Sequence, residues 1–169
     1  MKLLSKTAVR SLSTTVCLAA LLNATSLAQQ RTGTAKDRLV GAWGLVSFVS
    51  FDANGASRPG AYDLGRIVYD ASGQMSAHLM HSSNKADASP ATDADRSAAF
   101  RRYLGYYGPF TVDELTGIVI HHVLGSSNPS WVGSNQVRYF TLSEDGNRLT
   151  LSVKNQTRVT STLVWERIK

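Results

Sequence analysis

Residues 136–168 read QVRYFTLSEDGNRLTLSVKNQTRVTSTLVWERI, and three strand-like runs stand out in them: Gln136–Ser143, Arg148–Val153 and Arg158–Ile168. Val, Thr, Leu, Tyr and Phe fill the runs, the residue types that suit a pleated, half-buried backbone. Asp145-Gly146-Asn147 joins the first two, a turn signal that folds one run back on the other. The same pattern extends upstream. Leu39–Phe51 ends at Asn54-Gly55, Leu64–Asp70 ends at Ser72-Gly73, Gln74–His81 runs into a polar loop, and Pro109–Leu115 meets Gly117–Leu124 at Thr116-Gly117. Eight short strands on tight turns predict an all-β, antiparallel up-and-down barrel, because eight strands suffice to close a sheet around side chains or one small ligand.

One stretch interrupts the pattern between the third and fourth strands. Lys85–Gly108 begins as an Ala/Ser/Asp/Pro loop, then offers Thr92-x-x-Asp95 ahead of Ala99, Phe100, Tyr103, Leu104 and Tyr107. A capping-box analogue followed by that spacing predicts one amphipathic helix of about three turns. Its apolar face would cover an end or a flank of the barrel, as a fixed plug or as a lid over a ligand.

The first 28 residues read differently. Lys2, Lys6 and Arg10 precede the apolar run Val16–Leu22, and Ser26-Leu27-Ala28 has the small-x-small form that a signal peptidase cuts. The run is too short to span a bilayer, which takes roughly 20 apolar residues. Residues 1–28 are therefore expected to be a signal peptide, 29–37 a flexible polar lead and 38–169 one domain, exported to the periplasm or beyond and without a transmembrane segment.

Processing would also change the chemistry available. The single cysteine, Cys17, lies in the leader, so disulfides, Cys-ligated metal and cysteine nucleophiles are not expected of the mature domain. Three of the 18 basic residues leave with the leader and none of the 12 acids does, so 15 against 12 gives a net charge of +3. No Lys/Arg run or basic-aromatic interleaving points to nucleic acid.

Several short motifs occur in order along this chain: Gly41-x-Trp43, Gly65-Arg66-Ile67-x-Tyr69, Tyr103-x-Gly105-x-Tyr107, His121-His122-Val123, Pro129-x-Trp131-x-Gly133, Gln136-x-Arg138 and Trp165-x-Arg167. Together they resemble the bacterial and fungal lipocalin-like domain proteins, relatives of the calycins. The resemblance implies that Trp43 closes the narrow end of the barrel and that Arg167 from the last strand lies across its indole, a structural pair joined by cation–π attraction.

The sequence lacks the phosphate-loop, dinucleotide, zinc-protease and hydrolase-elbow signatures, and no cofactor is expected. Metal binding is not expected either. His78 and His81 point to opposite faces of a strand, and so do His121 and His122. Pairing Gly117–Leu124 with Gln136–Ser143 so that partner numbers total 260 sets His122 opposite Arg138 on an apolar face with Ile118, Ile120, Phe140 and Leu142. A slip of one residue would turn one strand inside out. In that register Arg138 and His122 direct the head group of a small ligand, and Tyr69, Met75, Tyr103, Tyr107, Trp131 and Phe140 are candidates to line its cavity. An inward arginine needs an acidic partner or an acidic ligand, because a buried charge is costly alone. Two functions follow: a carrier of a small, largely apolar, acidic molecule, or an isomerase or cyclase in which His122 or a tyrosine moves a proton and Arg138 stabilises an oxyanion.

Overall fold

A computed structural model describes residues 33–85, 92–156 and 158–169. The expected leader and the first part of the polar lead fall outside them. Among these residues two α-helices, α1 (Ala35–Leu39) and α2 (Asp93–Arg101), accompany ten strands: β1 (Gly41–Phe51), β2 (Ser57–Pro59), β3 (Leu64–Tyr69), β4 (Gln74–Met80), β5 (Tyr103–Asp113), β6 (Ile118–His122), β7 (Gly125–Ser126), β8 (Asn135–Leu142), β9 (Arg148–Asn155) and β10 (Arg158–Arg167). Eight of them pair in chain order as an antiparallel meander, β1-β3-β4-β5-β6-β8-β9-β10, and β10 returns to β1 to close the barrel. The expected all-β, eight-stranded fold is present. The short β2 and β7 are additions on the flanks of β1 and β5.

Acidic side chains build the turns. Asp52, Asp70, Asp113 and Asp145 each accept a backbone N–H two residues on, from Asn54, Ser72, Leu115 and Asn147. Glycines at φ +83°, +88°, +65° and +69° (Gly55, Gly73, Gly117, Gly146) complete these four reversals. A short acceptor and a residue free to take positive φ are what a tight hairpin turn requires. All eleven acids among the described residues are exposed, so the barrel interior holds none of them.

One end of the barrel is sealed. Trp43 is fully buried, its indole N–H donates to Leu39 O (2.9 Å), and the Arg167 guanidinium lies 4.1 Å from the indole centroid. Arg167 also donates to the carbonyls of Gly146 (2.9 Å), Val40 (2.8 Å) and Arg38 (2.6 Å), so it joins three segments across the end. Gly41, at φ +134°, makes room for it: a Cβ there would sit 2.5 Å from Arg167 Nη1. In the described part of the lead, Thr34 and Asp37 form a capping box that starts α1 and seats buried Leu39 against the core.

Two expectations are corrected. The helix after the polar loop stops at Arg101 and buries no residue, because Tyr103–Asp113 is an eleven-residue strand and not the continuation of an amphipathic helix. Gly105, Gly108 and Pro109 disfavour a helix there. The β6–β8 register is also different: Ile118 faces Tyr139, Val119 faces Arg138 and His121 faces Gln136, so partner numbers total 257 and not 260. The offset is odd, which turns β6 inside out relative to the expectation while leaving β8 as read.

Candidate functional site

That register decides the interior. Val119 and His121 point inward beside Arg138, and both Val119 and His121 are fully buried. His122 points outward, where Thr111 Oγ1 lies 3.0 Å from its Nε2 and Asn135 Oδ1 lies 2.8 Å from its Nδ1. The barrel is filled to different degrees along its axis. Next to the sealed end, Trp43, Tyr69, Met75, Phe110, Val119 and Leu149 pack solidly. Towards the other end a cavity of about 600 Å³ opens, lined largely by apolar side chains that include Phe48, Leu79, Leu104, Leu151, Leu163 and Trp165. Phe100 and Arg101 of α2 and Pro129 and Trp131 of a 3-10 turn also border it.

Arg138 reaches this cavity and is buried. Its guanidinium donates to Val137 O (2.8 Å) and Gln136 Oε1 (3.3 Å) and lies 5.9 Å from the Trp131 ring centroid. Gln136 is itself held by its amide, which donates to Ser134 Oγ (2.9 Å). These contacts satisfy two of the five N–H groups of a guanidinium and supply no negative charge. Every described acid lies outside the barrel, so the interior carries an uncompensated cation.

Behind the cavity wall lies a buried polar cluster. Tyr69 Oη is 2.8 Å from His121 Nε2, and Tyr106 Oη is 3.0 Å from His121 Nδ1. Tyr106 lines the cavity, whereas Tyr69 and His121 do not. Burial, reinforced by the charge of Arg138 and by His122, lowers the His121 pKa to about 3, so its imidazole is neutral. Burial likewise raises both phenols. Arg138, adjoining Tyr106, partly opposes that shift by favouring the ionised phenol.

The residues picked from sequence divide accordingly. Arg138 and Trp131 line the cavity. Tyr103 borders it, but its ring runs outward over Gly105, where a Cβ would meet Tyr103 Oη at 2.8 Å, and its hydroxyl bonds His78 Nδ1 at 2.6 Å. Tyr107 is exposed and packs over Gly125 on the outside. Tyr69 and Met75 are buried in the packed half, and Phe140 packs against the core without reaching the cavity. His122 is on the outer face, so the interior histidine is its neighbour His121. Tyr106, Gln136 and Trp165 also line the cavity, though none was among the residues expected to line it. The inward period of β5, Leu104-Tyr106, was hidden by the helical reading. The indole N–H of Trp165 is buried and has no hydrogen-bond partner among the described residues.

No group of three or more metal-ligating side chains occurs among the described residues. A family model described as "Lipocalin-like domain" matches residues 40–168. Over 60 residues the chain is 40% identical to the "4'-hydroxy-3'-methoxypropiophenone carrier protein ppsC" of Aspergillus oryzae (strain ATCC 42149 / RIB 40), a match covering 32% of this chain and 54% of that protein. The chain thus spans about half the length of the curated relative it matches. A solved structure of a redesigned beta barrel is similar with a TM-score of 0.43 and 11% identity, covering 82% of this chain and 98% of that one.

Proposed function

The chain belongs to the lipocalin-like domain family, and on that premise we propose that it is an exported carrier holding one small, largely apolar molecule with an acidic end inside the barrel. The observation that carries the reading is a cavity of about 600 Å³ whose polar end holds a buried arginine with no carboxylate beside it. Ligand sites of this size are typically apolar with a few directing polar groups. A buried cation without a protein counter-charge is stabilised by a ligand that brings one. The Aspergillus relative is named as a carrier of a hydroxylated aryl ketone, a compound with an apolar ring and an ionisable hydroxyl.

The alternative, acid–base chemistry by His122, gains no support from the geometry. His122 is on the outer wall, and among the described residues lining the cavity there is no carboxylate, histidine or cysteine to act as a base. His121 is neutral but enclosed by two phenols. Export rests on the sequence of residues 1–28.

The test is to purify the exported protein, measure its mass under native conditions, then denature it and identify what is released. The reading expects one equivalent of a small acidic molecule, or saturable one-to-one uptake of such a molecule by the stripped protein. Protein that takes up no small apolar acid would refute it.

A further inference from the structure

The direction of the hydrogen bonds around His121 has a consequence for the cavity. Tyr69 is fully buried, and among the described residues its hydroxyl has one partner, His121 Nε2. A phenol is both donor and acceptor, and a neutral imidazole has one N–H and one bare nitrogen. If Nε2 carried the hydrogen, Tyr69 would accept from it and its own proton would be stranded in the core. With Nε2 bare, Tyr69 donates to it and both the phenol proton and the imidazole nitrogen are satisfied. The hydrogen then sits on Nδ1 and is donated to Tyr106 Oη, 3.0 Å away. Tyr106 therefore does not spend its own proton on His121. Its ring lines the cavity, in T-shaped contact with Trp131, whose ring also lies near the Arg138 guanidinium.

We propose that the Tyr69–His121 pair fixes the tautomer that frees the Tyr106 hydroxyl proton for the cavity, where Tyr106 and Arg138 together bind one oxyanion of the ligand, a carboxylate, enolate or phenolate. This rests on the carrier reading and specifies its polar end: two donors, one charged and one neutral, meet one anionic oxygen group. Tyr106 is a ligand contact. Tyr69, which does not touch the cavity, is a positioning residue that acts through His121. Removing its hydroxyl lets the imidazole move its hydrogen to Nε2, whereupon Tyr106 donates to the bare Nδ1 and its proton is withdrawn from the ligand.

The experiment uses two probes of similar shape, 2-naphthoate and uncharged naphthalene, titrated into the full exported protein and followed by tryptophan fluorescence, since Trp131 and Trp165 line the cavity. Nitrogen NMR of His121 reports its tautomer in parallel. The expected result is an Nδ1–H imidazole in the wild type and 2-naphthoate binding weakened about tenfold by Tyr106→Phe, the loss typical of one hydrogen bond to a charged group. Tyr69→Phe, which removes the donor that keeps Nε2 bare, should populate Nε2–H beside Nδ1–H and weaken 2-naphthoate measurably but by less than Tyr106→Phe. Naphthalene affinity should stay within about twofold in both variants, because its apolar contacts are untouched. An Nε2–H imidazole in the wild type overturns the proposal, and so does a Tyr69→Phe variant that loses both probes equally or keeps naphthoate unchanged. If neither probe enters the wild-type barrel, the carrier reading itself fails, a result distinct from equal binding of both.

Discussion

Lowering the pH should destabilise this protein through one side chain before its carboxylates come into play. His121 is fully buried between two phenols, and its folded pKa of about 3 lies below the ordinary value of 6.5. The unfolded chain therefore takes up the proton first. Stability from this group is complete above about pH 6.5 and is lost as pH falls towards 3. Integrating the difference in bound protons from pH 7 to pH 4.5 gives a loss of roughly 2–3 kcal/mol, a large share of the roughly 5–15 kcal/mol that holds a domain folded. The window separates His121 from the turn acids. Asp63, Asp70, Asp113 and Asp145 are held below 3.8 mainly by hydroxyl donors, so their contributions disappear only at lower pH. Denaturant unfolding at the two pH values measures the loss directly. His121→Gln, which still offers the phenols a donor and an acceptor, should be less stable at pH 7 but should lose roughly 2–3 kcal/mol less than the wild type between the two pH values. Equal losses in the two proteins, or a His121 resonance titrating near 6.5 in the native state, would refute the reasoning.

Four further outcomes are expected. Trp43→Ala should cost about 3–5 kcal/mol in denaturant unfolding, since it empties a fully buried aromatic site, and Arg167→Ala about 1–2 kcal/mol. Gly41→Ala should cost about 1–3 kcal/mol and be less than additive with Arg167→Ala, because the added methyl collides with Arg167 Nη1. Arg138→Met should weaken an acidic aromatic ligand about 10–100-fold in equilibrium titration with little change in melting temperature, whereas His122→Gln, on the outer wall, should leave binding unchanged. Intact mass of exported protein should place its first residue near Gln29, with no thiol present.

The strand count was legible because the turns are explicit: Asp or Asn with glycine marks each of the four tight reversals. The register of β6 was not. Twelve residues, 123–134, separate it from β8, and the two faces of β6 offer equivalent patterns, Val119-His121-Val123 and Ile118-Ile120-His122. Each puts two aliphatics and one histidine on a face, so composition cannot choose. The loop chooses, through Val123 N–H donating to Ser134 O and Gly133 N–H to Val123 O. Tyr103–Tyr107 misled for a related reason, since apolar residues there satisfy periods of 3.6 and of 2 alike, and the glycines at 105 and 108 were the signal for a strand. Arg138 was readable as inward because Phe140 and Leu142 share its face. Its Tyr106 neighbour was not, because that depends on β5 being a strand.

The ring of pairings from β1 round to β10 bears on traffic as well as stability. β10 runs along one flank of β1, and on the other β3 pairs with Gly41–Gly44 and β2 with Val49–Phe51. Over its paired length the wall leaves β1 and β10 no free edge of the kind on which a foreign strand could be grafted. With the Trp43–Arg167 end shut, the cavity lies towards the other end, where α2 and the Pro129–Trp131 turn border it. On the carrier reading proposed above, loading and unloading would share that end. A donor and a receiver of the guest would therefore dock on the same rim and take turns, and a full barrel would exchange its contents only by emptying first.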